Sequence, residues 1–158
     1  MVEAKYRDLH RVTATVIVYK SDETYLITKR SGTRKVFPSK WTVPGGGLEI
    51  GDYINTKPSH IGYQWYGALE KTMRRELKEE ANISVGKLEY LLDLVFIRSD
   101  GIPVITLSFF APYKGGKVKL NDESTDFKWI KAKSSKNFDL IPGIDEEIIM
   151  VDKILKNR

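Results

Sequence analysis

Strand-forming segments alternate with two amphipathic helical segments along this chain, and this order limits the fold more than any other feature. Leu69, Met73 and Leu77 recur every four positions among good helix formers, which predicts a helix over about 68–81. A second helix is predicted from about Asp145 onward, with acidic residues in its first turn. Strands are predicted over residues 12–19, 25–29, 88–97, 104–110 and 127–130, the first two and the next two joined as hairpins. The pattern predicts an α/β (α+β) protein with helices on the faces of a mixed β-sheet.

Length and composition narrow the class of protein. A chain of 158 residues has the size of one domain, so we expect a single domain over 1–158. Without cysteine it has no disulfide, thiol nucleophile or thiolate metal site, and two isolated histidines, His10 and His60, cannot form a multi-histidine zinc site. The charged start, and the lack of any apolar run near the roughly 20 residues that span a bilayer, predict a soluble, cytoplasmic protein with no membrane partner.

The charge balance favours a phosphate-bearing partner. The net charge is +5 and the isoelectric point is near 9.3, which suits either nucleic acid or a free nucleotide. Lysines and arginines are scattered in short groups such as Lys29-Arg30 and Arg34-Lys35, without one continuous basic stripe. This scatter also fits an ordinary soluble surface, and it does not favour nucleic acid as the partner.

The first predicted helix carries three glutamates beside its apolar stripe. At about 100° per residue, Glu76, Glu79 and Glu80 fall along one edge of that stripe, whereas the lysines fall on the opposite side. Like charges one turn apart repel each other, and partial burial also removes water from them. A divalent cation such as Mg²⁺ or Mn²⁺ would relieve both penalties, and Arg75 is placed to orient Glu79. The alternative is a solvated helix with ordinary glutamate–lysine pairs.

A glycine-rich loop, WTVPGGGLEIGD, precedes this helix at residues 41–52. Glycines let the backbone approach a ligand closely and adopt turns forbidden to other residues. The loop is not a P-loop, because no Lys-Ser or Lys-Thr pair follows, and it is not a G-x-G-x-x-G turn that opens a helix. Taken alone, it fits a loop without function as well as a ligand-binding loop.

Together, the loop and the helix resemble the Nudix hydrolase (MutT-like) family, whose signature is G-x5-E-x7-R-E-U-x-E-E-x-G-U. Gly46 stands at the first glycine and Asp52 at the first glutamate, and the second half matches at Arg75, Glu76, Leu77, Glu79, Glu80 and Ile83. Asn82 replaces the last glycine, and asparagine is the next-best residue for a left-handed helix end. The 22 residues between Asp52 and Arg75 exceed the family spacing by 15, which indicates an insertion over about 53–67. The resemblance implies the family's α/β/α sandwich.

The resemblance also implies an activity and a site. The implied reaction is Mg²⁺-dependent hydrolysis of a diphosphate linkage in a nucleoside diphosphate derivative, with Mn²⁺ as a substitute metal. The implied metal ligands are the Gly45 carbonyl, Glu76, Glu79 and Glu80. The implied catalytic residues are Glu76, Glu79, Arg75 and an acid before the last strand, Asp122 or Glu123, of which Glu123 is our choice as ligand or general base. Arg30 and Lys29, at the end of the second strand, are expected to bind phosphate.

The insertion contains four aromatic residues, Tyr53, Tyr63, Trp65 and Tyr66. Because both of its ends lie beside the implied metal site, we predict that it covers part of the substrate pocket, with Trp65 and Tyr66 contacting the non-phosphate half of the substrate. The alternative is that these rings only anchor the loop to the body of the protein or to a homodimer partner.

Three classes of function are consistent with these residues. The first is a pyrophosphohydrolase acting on a nucleoside triphosphate, to give a monophosphate and pyrophosphate, because the sequence marks of the ADP-ribose and NADH branches are absent. ADP-ribose or a nucleotide sugar is the alternative substrate. The other classes are a non-catalytic nucleotide sensor, which the intact glutamates argue against, and an RNA-binding or RNA-processing protein, which would show a steep dependence of affinity on salt.

Overall fold

A computed structural model describes residues 7–59 and 62–158, so His60 lies outside the described residues. Its strands are β1 (Arg11–Tyr19), β2 (Thr24–Arg30), β3 (Trp41–Thr42), β4 (Gly45–Gly47), β5 (Ser84–Val85), β6 (Glu89–Ile97), β7 (Pro103–Gly115) and β8 (Ser124–Lys131). The two α-helices are α1 (Ala68–Ala81) and α2 (Ile144–Lys156), and short 3-10 helices cover Ile50–Asp52 and Ala132–Asn137. None of the described helices is both long enough and apolar enough to cross a membrane.

The strands of the described residues form one mixed sheet. β1 and β7 run parallel along their length, and the other pairings are antiparallel, including β6 with β7 and β2 with β8. The predicted hairpin of β6 and β7 is confirmed. β1 and β2 are antiparallel as predicted, and they pair near the turn, where Tyr19 lies opposite Tyr25. Along its length β2 pairs instead with β8.

Alternating side chains of β1 point to two different cores, one on each face of the sheet. Ala14, Val16 and Val18 belong to the core beneath α1, and Ile17 belongs to the core beneath α2. Both helices therefore cover the sheet, and the predicted α/β/α arrangement is confirmed. Side chains at positions 11, 13 and 15 share the α2 face, where the sheet also lines a large cavity.

The helix of the signature spans the predicted residues 68–81, and it ends at Asn82, whose φ of 55° is left-handed as expected. The short strands β3, β4 and β5 were not predicted. β4 consists of three glycines, which have low strand propensity, and it forms because it pairs with β1. Glycine is required at position 45, since a Cβ atom there would overlap the backbone carbonyl of Ala14.

Candidate active site

Two glutamates of α1 face the glycine strand β4. The backbone N–H of Gly45 donates a hydrogen bond to Glu80 Oε2 at 3.2 Å. A Cβ atom at Gly46 would overlap the Glu76 carboxylate, so any side chain at that position would displace it. Glycine at position 46 therefore leaves the Glu76 carboxylate in place beside β4.

Burial and mutual repulsion disfavour the ionised forms of both carboxylates. Burial raises the pKa of Glu80 to about 8, and the Gly45 N–H opposes part of this rise. The negative charges of Glu76 and Glu123 add to it. Burial also raises the pKa of Glu76, although the positive charge of Arg75 acts in the opposite direction. A cation between the two glutamates would stabilise their ionised forms.

Arg75 links three acidic residues. Its Nε donates to Asp52 Oδ1 at 2.6 Å, and its Nη2 lies 3.0 Å from Glu76 Oε1. Its Nη1 donates to Glu79 Oε2 at 2.9 Å, which confirms the predicted contact between these two residues. The Asp52 side chain is only 5% exposed and also accepts a hydrogen bond from Thr72 Oγ1 at 2.9 Å. Asp52 thus fixes the position of Arg75, although its side chain is one methylene shorter than the glutamate of the signature.

The third glutamate, Glu79, lies apart from the other two. Its side chain is 55% exposed and pairs with Arg75. Within residues 7–59 and 62–158, no group of three or more acidic or histidine side chains is arranged to hold one metal ion. The implied ligands Glu76, Glu79 and Glu80 are therefore not gathered into one set. Glu76 and Glu80 nevertheless fit a divalent cation, because their carboxylate oxygens are suitable metal ligands, are partly buried and repel each other.

A cavity of about 780 Å³ is lined by strands of the sheet, by the 33–37 segment and by the start of α2, and Glu80 and the glycines of β4 form part of its lining. Its cationic lining residues are Arg11, Arg30, Arg34, Lys35 and Arg98. Its acidic lining residues are Glu80, Glu123 and Glu147. This surplus of positive charge favours an anionic ligand.

Of the two predicted phosphate-binding residues, Arg30 lines the cavity and Lys29 is absent from its described lining. Successive side chains of a strand point to opposite faces, which explains the difference. Arg30 Nη2 donates to the Val36 carbonyl at 2.8 Å, and its Nε donates to the Val36 and Phe37 carbonyls. Its Nη1 makes no hydrogen bond to the described residues. Arg30 therefore braces the 33–37 wall of the cavity and keeps one nitrogen available to an anion.

Of the two acids predicted before β8, Glu123 lines the cavity, whereas Asp122 is exposed and is not among the described lining residues. Glu123 Oε1 lies 3.1 Å from Arg34 Nη1. The charge of Glu123 also contributes to the raised pKa of Glu80 and of Glu76. The structure thus brings Glu123 into electrostatic contact with the glutamates of α1.

The aromatic residues of the insertion pack on one another. The Trp65 ring lies 5.2 Å from the Tyr53 ring and 6.4 Å from the Tyr63 ring, and Trp65 Nε1 donates to the Thr56 carbonyl at 3.0 Å. Neither Trp65 nor Tyr66 belongs to the lining that the described residues give the cavity. The described rings therefore close the loop on itself; these contacts neither place Trp65 and Tyr66 over the substrate nor anchor them to the body of the protein.

Replacing Trp65 with alanine should then affect stability and leave substrate binding unchanged. We expect the free energy of unfolding to fall by about 1–2 kcal/mol, because the ring contacts and one hydrogen bond are lost. Thermal melts and KM measured on the same variant test this expectation, with Trp65→Phe as the control that retains a ring. A tenfold rise in KM would restore the prediction that the insertion covers the substrate.

Five charged residues of the described cavity lining were not predicted as site residues from the sequence: Arg11, Arg34, Lys35, Arg98 and Glu147. Arg98 Nη2 donates to Asp100 Oδ2 at 2.7 Å, while its Nε is buried without a hydrogen-bond partner among the described residues. Arg11 and Arg98 stand at strand ends, where no sequence pattern distinguishes them. The burial of Glu147 could have been predicted, because this residue falls within the apolar stripe of α2, where acidic residues are uncommon.

Comparison with known proteins agrees with this geometry. The NUDIX domain model matches residues 9–149. The nucleoside triphosphatase NudI of Escherichia coli (strain K12) is 28% identical over 132 residues, which cover 77% of this chain and 82% of that protein. The MutT protein from Methanosarcina mazei Go1 has a similar structure, with a TM-score of 0.69 at 17% identity, covering 98% of this chain and 100% of that chain.

A second structural neighbour is the NUDIX domain of Shewanella oneidensis NrtR, solved in complex with ADP-ribose. Its TM-score is 0.69 at 17% identity, and the match covers 96% of this chain and 94% of that chain. At these identities the structural neighbours show the fold, and the family model shows the membership. Since that model spans most of the sequence, including the glycine strand and the glutamates of α1, the chain belongs to the Nudix hydrolase family.

Proposed function

We propose that this Nudix pyrophosphohydrolase acts on nucleoside triphosphates and converts them, with Mg²⁺, to a nucleoside monophosphate and pyrophosphate. The observation that carries the proposal is the pair of partly buried glutamates, Glu76 and Glu80, set against β4 beside a cavity rich in cations. Buried like charges are costly, so an arrangement of this kind is expected where a bound cation offsets their repulsion.

Glu76 and Glu80 would hold the metal ion, together with the carbonyl of Gly45. Glu79 would join them only by leaving its ion pair with Arg75. When bound, a divalent cation neutralises phosphate charge and lowers the pKa of water. Arg75 would act as a positioning residue, since it contacts the carboxylates and does not line the cavity within the described residues.

The remaining charged residues of the cavity would bind and orient the phosphates. Arg30, through its free Nη1, and Arg34 are placed to neutralise phosphate oxygens. Glu123, paired with Arg34, is our candidate for the general base that accepts a proton from the attacking water. Glu123 and Glu80 line the same cavity, so both can act on one bound substrate.

The choice of a triphosphate rests on the relatives and on charge. The Escherichia coli relative described above is named a nucleoside triphosphatase. Among the described residues, the cavity has five cationic lining residues against three acidic ones, a surplus that suits several negative charges on one ligand. ADP-ribose remains the second candidate, because the Shewanella domain with a similar fold was solved with that ligand.

A substrate panel tests the proposal. Purified protein with Mg²⁺ would be given each nucleoside triphosphate, ADP-ribose and a nucleotide sugar, and the products would be separated by ion-exchange chromatography. We expect a triphosphate to be the best substrate, with equal amounts of monophosphate and pyrophosphate formed. Release of orthophosphate alone would contradict the proposed reaction. Hydrolysis confined to ADP-ribose would contradict the proposed substrate.

A further inference from the structure

Hydroxyl groups form an ordered row that begins at the cavity lining with Thr15 and continues through the buried Ser108. Thr15 Oγ1 donates to Ser108 Oγ at 3.3 Å, and Ser108 Oγ donates to Glu147 Oε2 at 2.5 Å. The row thus crosses from β1 to β7 and ends on α2. Because every hydrogen in it points toward Glu147, the Oε2 atom of that residue is committed as an acceptor.

Glu147 is a buried acid for which the proposed reaction has no use. It is 4% exposed, yet it lines the cavity and forms no salt bridge with the described residues. Burial raises its pKa, while the Ser108 hydroxyl lowers it. Its second oxygen, Oε1, makes no hydrogen bond to any described residue. A ligand that brings a hydrogen-bond donor to this oxygen from the cavity would gain a charge-assisted hydrogen bond.

Apolar side chains line the same cavity as Glu147 and suit a flat ring. Leu94 and Phe96 of β6 and Ile141, Pro142 and Ile144 before and within α2 line the same cavity. A nucleobase combines two apolar faces with a polar edge, so it could pack on these side chains and present its edge to the one acid among them.

The distance between this region and the glutamates of α1 fits a nucleotide. Gly45, which contacts Glu80, lies opposite Thr15, and Thr15 lies opposite Ser108. Two strand spacings, or about 10 Å, therefore separate Gly45 from the hydroxyl that binds Glu147. A base at Glu147 would leave its phosphates near the glycine strand.

We propose that the α2 side of the cavity binds the nucleobase and that Glu147 Oε1 accepts a hydrogen bond from an exocyclic amino group of that base. Carboxylates accept hydrogen bonds from the cytosine amino group, whereas uracil offers a carbonyl oxygen at the same ring position, and two acceptors repel each other. The enzyme accordingly favours cytosine over uracil nucleotides, two bases of the same size. This inference rests on the proposed function, in that it names the base selected by the same site.

The test is a change of preference in Glu147→Gln. The wild type should show a kcat/KM for CTP about tenfold or more above that for UTP, the size expected for one hydrogen bond to a charged group. In the variant, the glutamine oxygen can keep the Ser108 hydrogen bond and its NH₂ group then faces the cavity. We expect the CTP/UTP ratio to shift at least about tenfold toward UTP. Glu146→Gln, an exposed neighbour outside the described lining, should leave the ratio unchanged.

Binding of the monophosphates separates this inference from the proposed function. Calorimetry with CMP and UMP on the wild-type protein requires neither turnover nor a variant, and CMP should bind more tightly. Hydrolysis of triphosphates with equal preference for CTP and UTP, or with a ratio that Glu147→Gln does not move, would overturn the role of Glu147 and leave the function intact. Tighter binding of CMP by a protein that hydrolyses no triphosphate would overturn the function and leave the base site intact.

Discussion

Glu80→Gln is expected to lower kcat by at least about 100-fold while the protein stays folded. The change removes one negative charge from the pair that faces the glycine strand, and loss of even an indirect metal contact costs about 10–100-fold in comparable sites. Glutamine keeps the size of the side chain and an oxygen that can accept the Gly45 N–H. Steady-state kinetics with Mg²⁺ measure the loss. Glu70→Gln, an exposed acid on the same helix that pairs with Arg74, is the matched control.

The same substitution should stabilise the metal-free protein at high pH. The pKa of Glu80 is raised from 4.5 to about 8, so the folded wild type binds a proton that the unfolded chain releases between these values. Stability of the wild type therefore falls as pH rises through this window, and glutamine, which does not titrate, avoids the loss. In thermal melts with EDTA, the variant should have a higher melting temperature than the wild type at about pH 9 but not at about pH 5. Unchanged activity in Glu80→Gln would remove this residue from the site.

Arg75→Ala is expected to lower both activity and stability. The Asp52 side chain would remain buried without its cation, and Glu76 and Glu79 would lose their common partner. Breaking a fully buried ion pair costs about 3–5 kcal/mol, and because Arg75 is 32% exposed we expect about 2–3 kcal/mol here. We expect kcat to fall about 10–100-fold, with a smaller change in the Mg²⁺ concentration needed for half-maximal rate.

The stability loss in Arg75→Ala should depend on pH. Burial raises the pKa of Asp52, but the hydrogen bonds from Arg75, the Glu49 N–H and Thr72 outweigh it, so the net pKa lies below 3.8. Stability from this carboxylate is present above its ordinary pKa and is lost as pH falls toward the lowered value. The difference in melting temperature should therefore narrow below about pH 4. Arg75→Lys keeps the charge but not the forked geometry, and it should restore stability more than kcat. A kcat equal to that of the wild type would exclude a positioning role.

Features with a strong local pattern could be predicted from the sequence. The four-residue spacing of Leu69, Met73 and Leu77 defined α1, and all three side chains pack in the core beneath it. The contact of Arg75 with Glu79 followed from helix geometry alone. These features depend on residues a few positions apart, where the helical repeat determines which side chains meet.

Features set by distant parts of the chain could not be predicted. The glycine strand β4 has no strand propensity and forms only through its pairing with β1. Arg30 lines the cavity and Lys29 does not, a difference that depends on how the end of β2 is placed in the sheet, where its pairing with β8 shifts register between these two residues. The insertion is rich in aromatic residues, which favoured a substrate contact, but whether such rings pack on a ligand or on one another is decided by the path of the loop. In contrast, Glu147 within an apolar stripe was a readable sign of a buried polar group.

Hydrolysis of a nucleotide diphosphate linkage should depend on a divalent cation held by the glutamates of α1. The most direct measurement is pyrophosphate release from a nucleoside triphosphate by protein first treated with EDTA and then supplied with Mg²⁺. We expect release to stop in EDTA, to return as Mg²⁺ is added, and to stay at background in Glu80→Gln at every Mg²⁺ concentration. Release that continues in EDTA, or that Glu80→Gln supports at the wild-type rate, would exclude metal-dependent hydrolysis by these glutamates.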